Sequence, residues 1–225
     1  MEKGTRPDIA YAVHQLARFS SDPKQSHGDA VMWLTKYLKA TKDQGLILDP
    51  TKQKGFEVFA DADFVGNWDK TTAGVDVGTA KSRSGWIILF CGIPLTWCSK
   101  LQTQIALSTC EAEYYSLSQA LRDTIPIMGL VQEFREQGFL DTDLVPQVHC
   151  RAFEDNAGAL KMAKVHKMRP RTKHINIIYH HFRSYVRNGS ITIHPIETEN
   201  QVADIFTKPL NLLLFAKHRQ RIMGW

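Results

Sequence analysis

Asp61 and Asp63 stand two residues apart at the end of an alternating stretch, Phe56-Glu57-Val58-Phe59-Ala60, just ahead of a Gly66-Asn67 turn signal. The period of two marks a strand and puts both carboxylates on one face near its end. Like charges a few ångströms apart raise each other's pKa unless a cation lies between them. A solvated turn bearing two aspartates would read the same way, so the pair takes its meaning from acids further along. Glu113 opens a later helix, Asp155 ends a later strand, and Asp204 sits in a helix near the C-terminus. If the strand that ends at Asp155 lies beside the first and parallel to it, Asp61 and Asp155 become neighbours at the sheet end where ligands gather in open α/β folds. Oxygen donors without His or Cys beside them suit Mg²⁺ or Mn²⁺ rather than zinc. Two such ions about 4 Å apart activate a water and stabilise the leaving oxygen of a phosphodiester, so no protein nucleophile is needed. No GxSxG, HExxH or GxxxxGK[ST] pattern competes for that role.

The elements that must carry these acids follow from pattern. Residues 1–50 read as two helices: Pro7 suits a first turn, and Ile9, Val13, Leu16 and Ala17 recur at helical spacing until residues 20–23 break it. Val31, Leu34 and Leu38 form a second stripe, closed by Gly45, and the polar link 49–54 is the expected boundary. From Gly55 the texture is strand, strand, strand, helix. Residues 85–90 are an apolar run too short for a helix, Gly92-Ile93-Pro94 reads as a hairpin turn, and a third strand starts at Leu95. Residues 66–84 form a long polar connection. Ser108 and Glu111 fit a capping box, and Tyr114, Leu117 and Leu121 give the helical stripe behind Glu113. A further helix is expected after Pro126, to Gly138. A fourth strand runs over 148–153, a short helix over 157–165, a longer one over 174–187 and a fifth strand over 191–196. Thr198 and Gln201 suggest a second capping box, opening the helix that carries Asp204, and 210–225 is read as a terminal surface helix. A meander of three strands followed by a strand–helix–strand crossover makes a mixed five-stranded sheet with helices on both faces.

The chain has 225 residues, 43% hydrophobic and 23% charged, which is the composition of a soluble globular protein. No apolar run approaches the ~18 residues of a membrane span, and the N-terminus lacks the apolar core of a secretory signal. Cys91, Cys98, Cys110 and Cys150 form no CxxC pair, so reduced thiols inside the cell are expected. On the same ground the Asn188-Gly189-Ser190 sequon is set aside. A net charge of +5 favours an anionic partner.

Four segments, FADADFVGN, LSTCEAEYYSL, EDNAGAL and ENQVADIFTKPL, resemble in order and spacing the catalytic segments of the ribonuclease H domain of copia-type retrotransposon polyproteins. KSRSGWI, LTWCSKLQ and RTKHINIIYHHFR agree, and TRPDIAYAV resembles the region just after the reverse transcriptase palm. The resemblance covers nearly the whole chain. It implies a ribonuclease H-like α/β fold over 55–209, a helical tail of a reverse transcriptase region over 1–50 and a C-terminal helix over 210–225. It implies Asp61, Glu113, Asp155 and Asp204 as catalytic ligands of two Mg²⁺ ions, with Mn²⁺ as a substitute. Asp63 and Glu111 are the nearby acids most easily mistaken for them: Asp61 matches the family's first-strand aspartate, and the capping box already engages Glu111. The implied reaction is hydrolysis of the RNA strand of RNA–DNA hybrids during reverse transcription. The implied partners are the hybrid and an upstream reverse transcriptase domain, with no membrane, in a cytoplasmic virus-like particle or the nucleus. The alternative is a domesticated or truncated module that binds nucleic acid without cutting it. The His-bearing loop common before the last aspartate in cellular type 1 enzymes has no counterpart in 196–202, and His194 falls inside a strand.

Lys161, Lys164, Lys167, Arg169, Arg171, Lys173 and His174 form a run free of acids directly after the Asp155 strand. Such a run is either an ordinary solvated loop or a grip on phosphates, and its place beside the acids favours the grip. Trp86 and Trp97 read as core residues rather than base-stacking ones.

Overall fold

Alternating and continuous apolar runs become one five-stranded sheet in the computed structural model, which describes residues 2–50, 55–71, 75–140, 148–164 and 181–225. The strands are β1 (Phe56–Asp63), β2 (Arg83–Phe90), β3 (Ile93–Leu101), β4 (Cys150–Glu154) and β5 (Ile191–Pro195). Their order is β3-β2-β1-β4-β5. β1 pairs antiparallel with β2 and β2 with β3, whereas β1 pairs parallel with β4 and β4 with β5. This is the ribonuclease H-like mixed sheet that the sequence predicted. The β2–β3 hairpin turns on Cys91 and Gly92, one residue earlier than the pattern suggested, and both have positive φ as a two-residue turn between right-twisted strands requires.

Helices cover both faces. On one side Phe56, Val58, Ala60, Trp86 and Ile88 pack with Tyr114, Leu117 and Leu121 of α3 (Thr109–Glu136) and Ala159 of α4 (Ala157–Lys164). On the other, Phe59, Ile87 and Leu89 meet a 3₁₀ turn, Val202–Phe206, and Ile222 and Met223 of α6 (Leu212–Met223). Burial on both faces explains why β2 reads as an unbroken apolar run, each large side chain contributing about 1.5–3 kcal/mol. No helix among the described residues is long and apolar enough to cross a membrane.

Several elements differ from expectation. α3 is one helix of 28 residues that runs through Pro126, because the apolar stripe continues to Met128 and Val131 and packs on the same core. That packing outweighs the roughly 3 kcal/mol cost of an interior proline. Glu113 consequently lies one residue beyond the first turn. Asp204 sits in a 3₁₀ turn rather than an α-helix. Its cap is the side chain of Gln201, which accepts from Ala203 N, while Thr198 bonds Asp155 instead of closing a capping box. Of the helix expected over 174–187, the described part is α5 (Arg183–Arg187); residues 174–180 lie outside the described residues.

The N-terminal helices are α1 (Ala10–Ala17) and α2 (Gln25–Ala40), the second ending ahead of Gly45. The α2 stripe does not form a core: Val31 and Trp33 are exposed. α1 instead packs on the sheet. Arg83, 1% exposed, donates to Gln15 Oε1 and lies 5.3 Å from the Tyr11 ring. Arg6 and Asp8, both buried, form a two-pronged ion pair that Thr41 and Tyr37 complete.

Candidate metal centre

The site begins where β1 and β4 part. Their ladder runs from Phe56↔Cys150 to Phe59↔Phe153 and stops. Phe56 N donates toward the β4 side, so the same edge of β1 presents Ala60 O and Ala62 N with no strand to pair with. Two side chains take their place. Gln201 Nε2 donates to Ala60 O at 2.9 Å, and Ala62 N donates to Glu113 Oε2 at 2.7 Å. The first anchors the turn that carries Asp204, and the second fixes the Glu113 carboxylate.

Asp61, 2% exposed, reaches the same notch from the opposite face to α3, and Thr207 Oγ1 donates to its Oδ2. Asp155, half-buried just past β4, accepts from Thr198 Oγ1 at 2.8 Å. One carboxylate oxygen each from Asp61, Glu113 and Asp155 lies within 4.8 Å of the others. Asp204, 3% exposed, stands beside this trio rather than in it. Its Oδ1 is 2.9 Å from Lys208 Nζ, which is 3.9 Å from Asp61 Oδ1. Gly85, paired with Asp61 across the sheet, permits the close approach. A Cβ there would sit 2.5 Å from Thr207 Cγ2 and 2.7 Å from Phe206 Cβ.

So many carboxylates in so little water strain one another. Burial, then the charges of Asp61, Glu154 and Asp155, hold Glu113 well above the usual carboxylate range. Asp61 is also raised, chiefly by burial, with Lys208 and Thr207 opposing. Asp204 is pushed up to about 7 by burial and by Asp61. The donor set is all oxygen, and each group would be relieved by a divalent charge, so the residues fit a hard cation such as Mg²⁺ or Mn²⁺.

The predicted residues thus divide. Asp61, Glu113 and Asp155 converge and Asp204 adjoins them. Asp63 is half-buried on the same strand, raised by burial, and Glu111 is turned away to accept from Leu107 N at 2.8 Å. Lys161 and Lys164 are exposed on α4, while Lys167, Arg169, Arg171, Lys173 and His174 lie outside the described residues. Sequence reasoning passed over Glu154, fully buried with Oε2 unpartnered among the described residues and a pKa held well above the usual range by burial. The alternation of Cys150 and Ala152 already pointed it inward. It also passed over Thr207 and Lys208, the latter four residues after Asp204. A separate cavity of about 520 Å³ between Phe59, Phe153 and α6 has none of the four acids in its lining.

Over 218 residues, 97% of its length, the chain is 30% identical to the retrovirus-related Pol polyprotein from transposon RE2 of Arabidopsis thaliana. Over 207 residues, 91% of its length, it is 35% identical to the retrovirus-related Pol polyprotein from transposon TNT 1-94 of Nicotiana tabacum. It spans 14% of the length of each. The N-terminal RNase H domain of rv2228c from Mycobacterium tuberculosis superposes on 74% of this chain and 96% of its own, with a TM-score of 0.44 and 11% identity. No protein-family model matches the chain.

Proposed function

We propose a nuclease function on the premise that the chain belongs to the retrovirus-related Pol polyproteins of copia-type transposons, of which it corresponds to a 14% stretch. In this reading residues 55–209 are a metal-dependent ribonuclease H that hydrolyses the RNA strand of RNA–DNA hybrids. Residues 1–50 are the helical tail of a reverse transcriptase region and 210–225 a C-terminal helix. The observation that carries it is the convergence of Asp61, Glu113 and Asp155 within 4.8 Å at the parting of two parallel strands.

Asp61, Glu113 and Asp155 would hold the cations, with Asp204 beside them. A bound pair of Mg²⁺ ions supplies an activated water for attack on phosphorus and charge stabilisation for the leaving oxygen, giving 3′-hydroxyl and 5′-phosphate ends. The chain's own part is to fix the donors. Ala62 N–H holds Glu113, Thr207 holds Asp61, and Thr198 holds Asp155. None of these contacts reads a base, so recognition falls to the shape and 2′-hydroxyls of the hybrid's minor groove. Lys161 and Lys164, exposed one and two turns after Asp155, are placed to meet phosphates, together with the rest of the basic run. The upstream polymerase region of the same polyprotein would deliver the hybrid, in a cytoplasmic virus-like particle or the nucleus.

Incubating the full chain with labelled hybrid, duplex DNA and duplex RNA, with and without Mg²⁺, tests the reading. Cleavage of the hybrid alone, dependent on the cation and reduced at least about a hundredfold in Asp155→Asn, is the expected result. Binding without cleavage would establish the non-catalytic module instead, and cutting of duplex DNA would reassign the substrate.

A further inference from the structure

Within the acid notch one side chain has the wrong sign for a ligand. The Lys208 ammonium lies 2.9 Å from Asp204 Oδ1 and 3.9 Å from Asp61 Oδ1, bridging two acids that approach the notch from different elements. Among the described residues it is the one cation that forms an ion pair with any of the four acids. Its backbone is tied down, since Lys208 N donates to Asp204 O at 3.2 Å, but its side chain is 34% exposed, so the head has a route to solvent. A lysine head on a four-carbon stem is a compact, mobile point charge, suited to entering and leaving such a position.

We propose that Lys208 is an internal counter-ion of the acid cluster, which a divalent cation has to displace from the Asp61–Asp204 side and which therefore weakens the site's hold on that cation. The inference rests on the metal-binding reading of the same site. In the absence of a divalent ion the ammonium offsets the repulsion between Asp61 and Asp204, two carboxylates almost wholly withdrawn from water. In its presence the same charge opposes the ion. A residue that served only to orient Asp204 would act in the other direction, because its removal would loosen a ligand and weaken binding. The sign of the change separates the two roles.

Calorimetric titration of Mn²⁺ into the full chain, alongside thermal unfolding with and without Mn²⁺, reads that sign. Lys208→Met is expected to bind Mn²⁺ about tenfold or more tightly than the wild type, as removal of a positive charge a few ångströms away requires. It should also melt at lower temperature without the ion and gain more on adding it. Lys208→Arg, which keeps the charge, stays close to the wild type. If Lys208→Met does not fold, Lys208→Gln gives the same comparison. Equal or weaker Mn²⁺ binding by the neutral variants overturns the counter-ion role while leaving the metal centre standing. If the folded wild type takes up no Mn²⁺, the metal-centre reading falls and this inference falls with it.

Discussion

Asp204 is the residue at which the electrostatics of the notch can be read from outside. Its carboxyl titrates near 7 when folded, against about 3.9 when unfolded, because burial and Asp61 disfavour its charge. Between those values the folded chain holds the extra proton, so the wild type gains stability relative to Asp204→Asn as pH falls from about 7 to about 4. Above 7 the penalty is fully present. The difference, at most roughly 4 kcal/mol, is measurable by denaturant titration at several pH values without divalent ions. His218 acts in the opposite direction. Buried beside Lys217 with its pKa lowered to about 4, it contributes stability above about 6.5 that is lost toward 4, which is why the comparison must be made between variants. Thr207 supplies a second measurement: Thr207→Val takes away the hydroxyl that Asp61 accepts from and should cost about 1–2 kcal/mol, whereas Thr207→Ser should restore most of it. Asp61, Glu113 and Asp155 were legible from type and position. Thr207 and Lys208 were not, since a hydroxyl and an ammonium beside an apolar pair carry no periodic signal.

At the scale of elements, the site depends on two close fits between backbones. The turn Val202–Phe206 lies against β2 at Gly85, where a methyl group would run into Thr207 and Phe206. Gly85→Ala is therefore expected to cost about 1–3 kcal/mol and to shift Asp204 relative to Asp61, lowering cation affinity as well as stability. A purely local defect would alter stability alone, so calorimetry with Mn²⁺ tells the two apart. α3 poses the opposite problem. Pro126 sits inside a helix that holds together by packing, and Pro126→Ala, which restores a backbone donor, should stabilise the chain by about 1 kcal/mol in denaturant melts. The sequence predicted a helix break there because proline is a local signal, whereas the apolar stripe that overrides it takes effect only against the sheet. The second capping box failed for a related reason: Asp155, forty-three residues away, claimed the Thr198 hydroxyl.

Across the whole molecule, the expected boundary at the 49–54 link is not a boundary in packing. Arg83, inside β2, is covered by Gln15 and Tyr11 of α1, and Trp97 Nε1 donates to Glu2 O at 2.6 Å. Removing residues 1–24 should leave that guanidinium buried with fewer partners and lower the unfolding free energy by about 3 kcal/mol or more, measurable by urea titration of the two chains. An undiminished stability in the shortened chain would show that the helices only rest on the sheet. What the sequence determined by itself was local: which runs are strands, which stripes are helices, and which acids lie at element ends. Those follow from side-chain period and chain direction, and with them came the sheet order and three of the four acids' meeting place. The tertiary structure alone decided how the acids are served. β4 leaves β1 after Phe59, the edge of β1 that this frees is taken by Gln201 and Glu113, and Lys208 comes to lie between Asp61 and Asp204. Such contacts join positions as much as 147 residues apart (Asp61 and Lys208), and their energies exist only once those positions share a dry space.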